Sequence, residues 1–454
     1  MSVGGSRKAL LVRQRAGRRP GRTLRHGPLR IVVVSATDVR DQRLFKQLHV
    51  LEALGHDVSL VAPDATTRDF AVTTGFSRFP DEVFGMGRPA GAAPTGEEAP
   101  PLPDRRRRPR RMRPRSVVGR LLAPLLRTLT ARREREWVRT AIPLVEQATP
   151  DLIMVHRLGL AQQLLGRLRD TAPTVVDLHE LPKQLHTGDA PIRRELDTVG
   201  LRAKRRRAIR ALARADLVTG EEPVAAHVKA HFGIAVHELS NVMAEPPVND
   251  EDAVRSQAAH SVRSRLGLGP SSRIITYLGF AQAGRGLELL VRTIELLPSD
   301  HHLALIVGST GARLREVIDR SPAAERIHLL DFVPQDQLID LLRGCDLGVY
   351  LPDPPERPHA HVCMPTKLFE FHAAEVPMLV AGDQGLREFA DRYGGAAVLD
   401  RPVTPESAAR SIQDLIQHPQ TVPPRRPTPR LEDVMTSILR ALGWTHAHAG
   451  PSPA

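Results

Sequence analysis

The stretch from Asp346 to Leu399 leaves this chain the least choice of architecture. A strand-like apolar run (Leu347, Gly348, Val349, Tyr350, Leu351) enters a loop rich in Pro and His, a helix begins near Pro365, and Glu375 to Val380 reads as the next strand. On that helix Lys367 and Glu370 stand three residues apart, which places them on one face near its amino end. A helix start gathers unpaired backbone N–H groups and partial positive charge, which suits a diphosphate. Lys367 adds a full charge there, and Glu370 can accept hydrogen bonds from hydroxyls. An amphipathic helix carrying a solvated ion pair accounts for the same two residues, so the rest of the chain has to decide.

With 454 residues the chain has room for two cores, at about 100–200 residues per domain. The two cysteines, Cys345 and Cys363, cannot build a disulfide framework and suit a reducing compartment. No apolar run reaches the roughly 18 residues of a spanning helix, and the Arg-studded start lacks the apolar stretch of a signal peptide, so the expected setting is cytoplasmic.

The net charge of +13 is concentrated in two tracts. Residues 1–28 and 105–115 carry +8 each without a single acid, which leaves the remainder at about −3. The first tract is rich in Gly and the second is interrupted by Pro109 and Pro114, and they read as flexible: a basic arm (1–28) and an insert (about 86–116). Nucleic-acid readers interleave aromatic residues with such charge, and neither tract has one, so nucleic acid is not an expected partner. Beyond the insert, Val117, Val118, Leu121, Leu122, Leu125, Leu126 and Leu129 are spaced for one helix face, with Arg120 and Arg127 nearby. Basic charge beside an apolar stripe suits an anionic membrane surface, at about 1 kcal/mol per cation. A solvated arm followed by a core-packing helix, kinked at Pro124, accounts for it as well.

In chain order, Leu29 to Ser35 reads as a buried parallel strand and Arg43 to Leu54 as a helix with Gly55 at its end. Asp57 to Pro63 is a second strand. This is the opening of a doubly wound sheet, yet the turn after the first strand holds no glycine. The missing G-x-G-x-x-G counts against a dehydrogenase. Trp137 to Gln147 and Leu160 to Arg169 read as helices, Asp151 to His156 and Thr174 to Leu178 as strands. His156 and His179 therefore fall at carboxyl strand ends, where ligands of open α/β sheets sit. For either histidine alone, a structural or surface imidazole is the plainer explanation. The second half repeats the pattern. Arg273 to Tyr277 is a strand, and Gly279, Gly284 and Gly286 surround Arg285 in a loop that lets amides approach a phosphate. The loop after Gly308 has room for a base.

The run Met364-Pro365-Thr366-Lys367-Leu368-Phe369-Glu370-Phe371, with Ala373-Ala374-Glu375-Val376-Pro377-Met378-Leu379, resembles the "lPnKlfEymaaGvPvl" signature of retaining, nucleotide-sugar-dependent glycosyltransferases of family 4, in the "PnKlfEy" branch. Tyr277-Leu278-Gly279 with Arg285-Gly286-Leu287, Val176 to Glu180, Ala215 to Gly220 and Ser240-Asn241-Val242 are similar to further elements of that family. The resemblance implies a GT-B fold, two Rossmann-like doubly wound α/β domains with parallel sheets facing a central cleft. The corresponding boundaries are 29–241 for an acceptor domain, 242–271 for a linker and 272–430 for a nucleotide-sugar domain, followed by a crossing helix at 431–444 and a disordered tail at 445–454.

It further implies transfer of a sugar with retention to a glycan or lipid-linked acceptor, with no metal or other cofactor. Gly279, Arg285, Gly308, His361, Lys367, Leu368 and Glu370 would take the donor, Arg285 and Lys367 would act on the leaving diphosphate, and His156 and His179 would face the acceptor. Two departures stand out: Val362 occupies the place of the first acid of the family's Glu-x7-Glu pattern, and Glu375 replaces the glycine of "aaGvP". A non-catalytic GT-B scaffold recruiting a partner through its Arg-rich arms, or a sugar-nucleotide epimerase, therefore stays open. His359, His361 and Cys363 alternate along one loop, an arrangement that seldom converges on one metal ion.

Overall fold

The computed structural model describes residues 27–37, 41–63, 70–76, 138–178, 181, 185, 199–242, 261–308, 312–333, 335–354 and 361–445. The charged residues of both basic tracts and the 117–129 stripe lie outside them.

The first lobe runs β1 (Arg30–Val34), α1 (Gln42–Ala53), β2 (Asp57–Pro63), β3 (Phe70–Thr74), α2 (138–147), β4 (Leu152–His156), α3 (Leu158–Leu168), β5 (Thr174–Leu178), α4 (Val199–Leu212), β6 (Leu217–Gly220), α5 (Glu222–Phe232) and β7 (His237–Glu238). The second runs α6 (Val262–Arg265), β8 (Arg273–Leu278), α7 (Leu287–Glu295), β9 (His301–Ile306), α8 (Ala312–Asp319), β10 (Ile327–Leu330), α9 (Gln335–Leu342), β11 (Leu347–Tyr350), α10 (Thr366–Ala373), β12 (Met378–Ala381), α11 (Gln384–Tyr393), β13 (Ala396–Leu399) and α12 (Pro405–Gln417). The closing helix is α13 (Leu431–Ala441).

The sheets are ordered β3-β2-β1-β4-β5-β6-β7 and β10-β9-β8-β11-β12-β13. All pairings are parallel except that of β2 with β3, an antiparallel edge strand absent from the sequence reading. Each sheet reverses its winding once, between β1 and β4 and between β8 and β11. Those switch points open crevices at the carboxyl ends of the strands. Along β1, Ile31 and Val33 share a core with Leu44, Leu48 and Leu51 of α1, whereas Val32 and Val34 join Val145, Leu164 and Leu165 on the other face. An unbroken apolar run is what a strand covered on both faces requires.

Register is pinned by one device used three times. Asp151, Asp216 and Asp346 each precede a strand and accept an amide at the start of its neighbour: Arg30 N at 2.9 Å, Thr174 N at 2.7 Å and Ile274 N, second in its strand, at 2.8 Å. The lobes are also tied by α13, which packs on α1, and by Trp444, whose indole N–H donates to the Gly27 carbonyl at 2.9 Å. Among the described residues no helix is long and apolar enough to cross a membrane.

Helices α1 and α10 end alike. Past α1, Gly55 has φ 84 and the amides of Gly55 and His56 return to Glu52 and Leu51. Past α10, Glu375 has φ 62 and the amides of Glu375 and Val376 return to His372 and Phe371. Both are Schellman closures, but only glycine takes the left-handed conformation without a Cβ penalty. Glu375 is three-quarters exposed, and its ion pair with Arg425 at 3.6 Å adds little. Glu375→Gly is expected to stabilise the protein by about 1 kcal/mol, read as a higher midpoint in denaturant unfolding.

Candidate functional site at the second switch point

The carboxyl ends of β8 and β11 lie side by side, and each ends in a tyrosine region: Tyr277 is fully buried and Tyr350 is 5% exposed. Lys367, in the first turn of α10, extends its ammonium between the two rings, 4.8 Å from the centroid of Tyr277 and 4.4 Å from that of Tyr350. Arg285 reaches the same ring from the glycine loop, its Nη1 donating to the Tyr350 hydroxyl at 3.0 Å. The two cations of the expected clamp thus converge on one side chain.

Glycine makes the approach possible. Gly279 has φ 139, and a Cβ there would collide with the Lys367 ammonium; Gly286 has φ 71, and a Cβ there would collide with the Leu351 carbonyl. Gly308 is likewise pressed on by the Phe332 ring, so its lack of a side chain serves packing. Burial, and then the like charge of Arg285, push the Lys367 ammonium down to about 7, with Glu370 acting in the opposite direction. Burial also raises both phenols, against the pull of Arg285.

Glu370 shares the face of α10 with Lys367, but its carboxylate is covered. It is 3% exposed, with Lys46 of α1 at 3.8 Å from the opposite lobe. Around this contact runs a buried polar seam. Arg43 meets Glu221 at 2.9 Å and Asp177 at 3.3 Å, and Thr219 donates to the same Asp177 oxygen at 3.2 Å. Glu221 accepts the Met364 amide at 3.2 Å, while Asn241 donates to the Met364 carbonyl at 3.0 Å and to Glu221. Burial depresses Lys46 and raises Glu221, each opposed by its partner's charge. The loop that precedes α10 is therefore bolted to the first lobe at both backbone polar atoms of one residue, Met364.

The other expected site residues are distributed as follows. Leu368 is fully buried and its amide donates to the Pro365 carbonyl at 3.0 Å, so that N–H is already committed within the helix start. His361 is about half exposed, its Nδ1 3.7 Å from Asp383, which Arg401 also holds at 2.6 Å. His156 does end β4, but it is 2% exposed with Nδ1 3.5 Å from Asp177, and burial lowers its affinity for a proton. It belongs to the floor under the seam and does not front the cleft. His179 and His359 lie outside the described residues. Val362, at the position of the family's first acid, packs against the core of the first lobe. The open interlobe groove, about 710 Å³ and lined by Glu222, Gly382, Gln384, Arg387 and Arg392 among others, includes none of the cradle residues.

Sequence reasoning missed Lys46, Arg43, Glu221 and Asn241 as one constellation. Its only signal was polar: Arg43, Lys46 and Gln47 crowd the amino-terminal half of α1, directly after the first strand, and all three are buried.

No protein-family model matches the sequence, and no curated protein does. Solved structures match in fold. A sucrose-phosphate synthase from Thermosynechococcus elongatus is 14% identical with a TM-score of 0.55, covering 92% of this chain and 95% of its own. HepE of Anabaena, crystallised with UDP and glucose, is 14% identical with a TM-score of 0.52, covering 91% and 97%. WaaG, a glycosyltransferase involved in lipopolysaccharide biosynthesis, is 10% identical with a TM-score of 0.50, covering 91% and 94%. The fold is GT-B: two Rossmann-like α/β lobes facing one another.

Because Arg285 holds Lys367 down through like charge, Arg285→Gln is expected to raise the titration midpoint of Lys367 from about 7 toward the ordinary lysine range. NMR titration of the ¹³C-methylated lysine would read this directly; an unmoved midpoint would remove Arg285 as a cause.

Proposed function

We propose that the protein is a glycosyltransferase that moves a sugar from a nucleotide-sugar donor to an acceptor, with retention of anomeric configuration. The observation that carries the reading is the convergence of Arg285 and Lys367 on Tyr350 at the switch point of the second sheet, beside the start of α10. In the transfer, the bond between the anomeric carbon and a diphosphate oxygen breaks. The acceptor oxygen bonds to that carbon, and the acceptor proton leaves. Negative charge grows on the departing nucleotide, and two fixed cations in a low-dielectric pocket are worth most where that charge develops. A lysine about half protonated at pH 7 takes up the rest of its proton as the diphosphate enters, so its charge is greatest when the ligand is present. This chemistry draws its positive charge from side chains and calls for no divalent ion.

In this reading Glu370 holds the ribose hydroxyls, His361 contacts the donor from its loop and Gly279 leaves room for the Lys367 ammonium. His179 faces the acceptor. Retention, hexosyl transfer and membership of family 4 rest on the sequence resemblance. UDP is the first nucleotide to try, because HepE was crystallised with it. The acceptor we favour is a cell-envelope or lipid-linked glycan, reached from the cytoplasmic side with the basic arm and insert against an anionic membrane.

One observation favours a second reading. Val362 puts an apolar side chain, seated against the first lobe, where the family has an acid. A non-catalytic scaffold would tolerate that. An epimerase would bind the donor and release a changed nucleotide sugar without transfer.

Assays of donor hydrolysis and transfer across UDP-, GDP- and ADP-sugars separate the three. Lys367→Ala and Glu370→Ala are each expected to weaken nucleotide binding about ten- to a hundredfold by calorimetry, the scale of a lost hydrogen bond to a charged group. Unchanged affinity in both would refute the site.

A further inference from the structure

Lys46 and Glu370 form an ion pair across the seam with side chains 5% and 4% exposed, and the Glu370 oxygen nearest Lys46 lacks a hydrogen-bond partner among the described residues. A buried carboxylate with a counter-charge but an incomplete set of hydrogen bonds is costly to keep and open to exchange. It is also the group that, in the function proposed above, accepts the ribose hydroxyls. As it stands the carboxylate is covered and one of its oxygens faces Lys46 at 3.8 Å, so a ribose hydroxyl reaching that oxygen has to take the place of the ammonium.

We propose that Lys46 is a positioning residue that holds Glu370 across the cleft in the donor-free protein, and that the ribose of an incoming nucleotide displaces the Lys46 ammonium from that carboxylate. The inference rests on the assignment of Glu370 as the ribose acceptor. Three neighbouring features fit it. Met364, two residues before α10, is held to the first lobe through its amide and carbonyl, so the loop has an anchor there that does not depend on the Lys46–Glu370 pair. Val362 gives the same loop an apolar seat on the first lobe. Lys367 lies close enough to Glu370 to feel its charge, so the carboxylate keeps a cation when Lys46 leaves.

If the binding-competent arrangement is a minor state of the donor-free protein, the apparent affinity is reduced by its population, and removing the competitor restores it. Calorimetry with UDP, and with GDP and ADP in parallel, tests this on the full chain. Lys46→Met is expected to bind nucleotide about tenfold more tightly than the wild type, and Lys46→Arg to stay near the wild type. Adding Glu370→Gln to Lys46→Met is expected to abolish the gain. Should Lys46→Met fail to fold, Lys46→Gln replaces it. Equal affinity in Lys46→Met overturns the proposal, and so does weaker affinity, which would make Lys46 a ligand of the nucleotide. Failure of the site itself looks different: nucleotide binding would then be indifferent to Lys367→Ala and Glu370→Ala, whatever Lys46 did.

Discussion

Glu221 is buried with both oxygens committed, one to Arg43 at 2.9 Å and the other to the Met364 amide at 3.2 Å, and the placement of the lobes at the candidate site follows from it. Arg43 belongs to the first helix of the chain and Met364 to the loop before α10, so one carboxylate joins the two crevices. Such a network is poor evidence of net stability, since well-packed apolar residues often do as well. Removing one partner, however, costs about 3–5 kcal/mol, because it strands a buried charge. What the seam supplies is geometry. An apolar contact permits sliding, whereas a carboxylate bonded to a guanidinium and an amide permits one arrangement.

The cradle in the second lobe depends on that geometry and on its own crowding. Tyr277 and Tyr350 both come to flank Lys367 because the winding reverses between β8 and β11 and puts the ends of those strands next to each other. Their rings offer the Lys367 ammonium a cation–π surface in place of water, a weak substitute, so the charge is held at the edge of ionisation. The glycine loop can approach this closely only without side chains at Gly279 and Gly286. Positive charge, low dielectric and a bare backbone are thus concentrated where the sheet leaves a crevice. The structure also adds a constraint: Glu370 is shut in by Lys46, so ligand access and the relation of the lobes become one question.

Much of this was legible in the chain. Strand β2 runs from Asp57 to Pro63 as its apolar pattern requires, Gly55 closes α1, and Glu375 takes the left-handed conformation that replacing a glycine implies. Arg285, Lys367 and Gly279 were readable as one site because a glycine loop and a helix start are local signals. Leu368 and His156 were less well read. Strand and helix positions say where a residue falls along an element, but the helix's own hydrogen bonding had already used the Leu368 amide, and Asp177 had already engaged the His156 ring.

Local periodicity, turn chemistry and the spacing of Lys367 and Glu370 are short-range properties, and they determined the two doubly wound lobes and marked the glycine loop and helix start of the second without reference to distant residues. Which charges would be buried together was settled only in three dimensions. Arg43 and Lys46 look like the solvated side of an amphipathic helix until Glu221 and Asp177 of the same lobe meet the one and Glu370 of the second lobe meets the other. The bond that brings Met364 to Glu221 spans 143 residues of chain. A charged side chain carries the same letter in the sequence whether water or a carboxylate compensates it, and only the packing of the lobes decides between them.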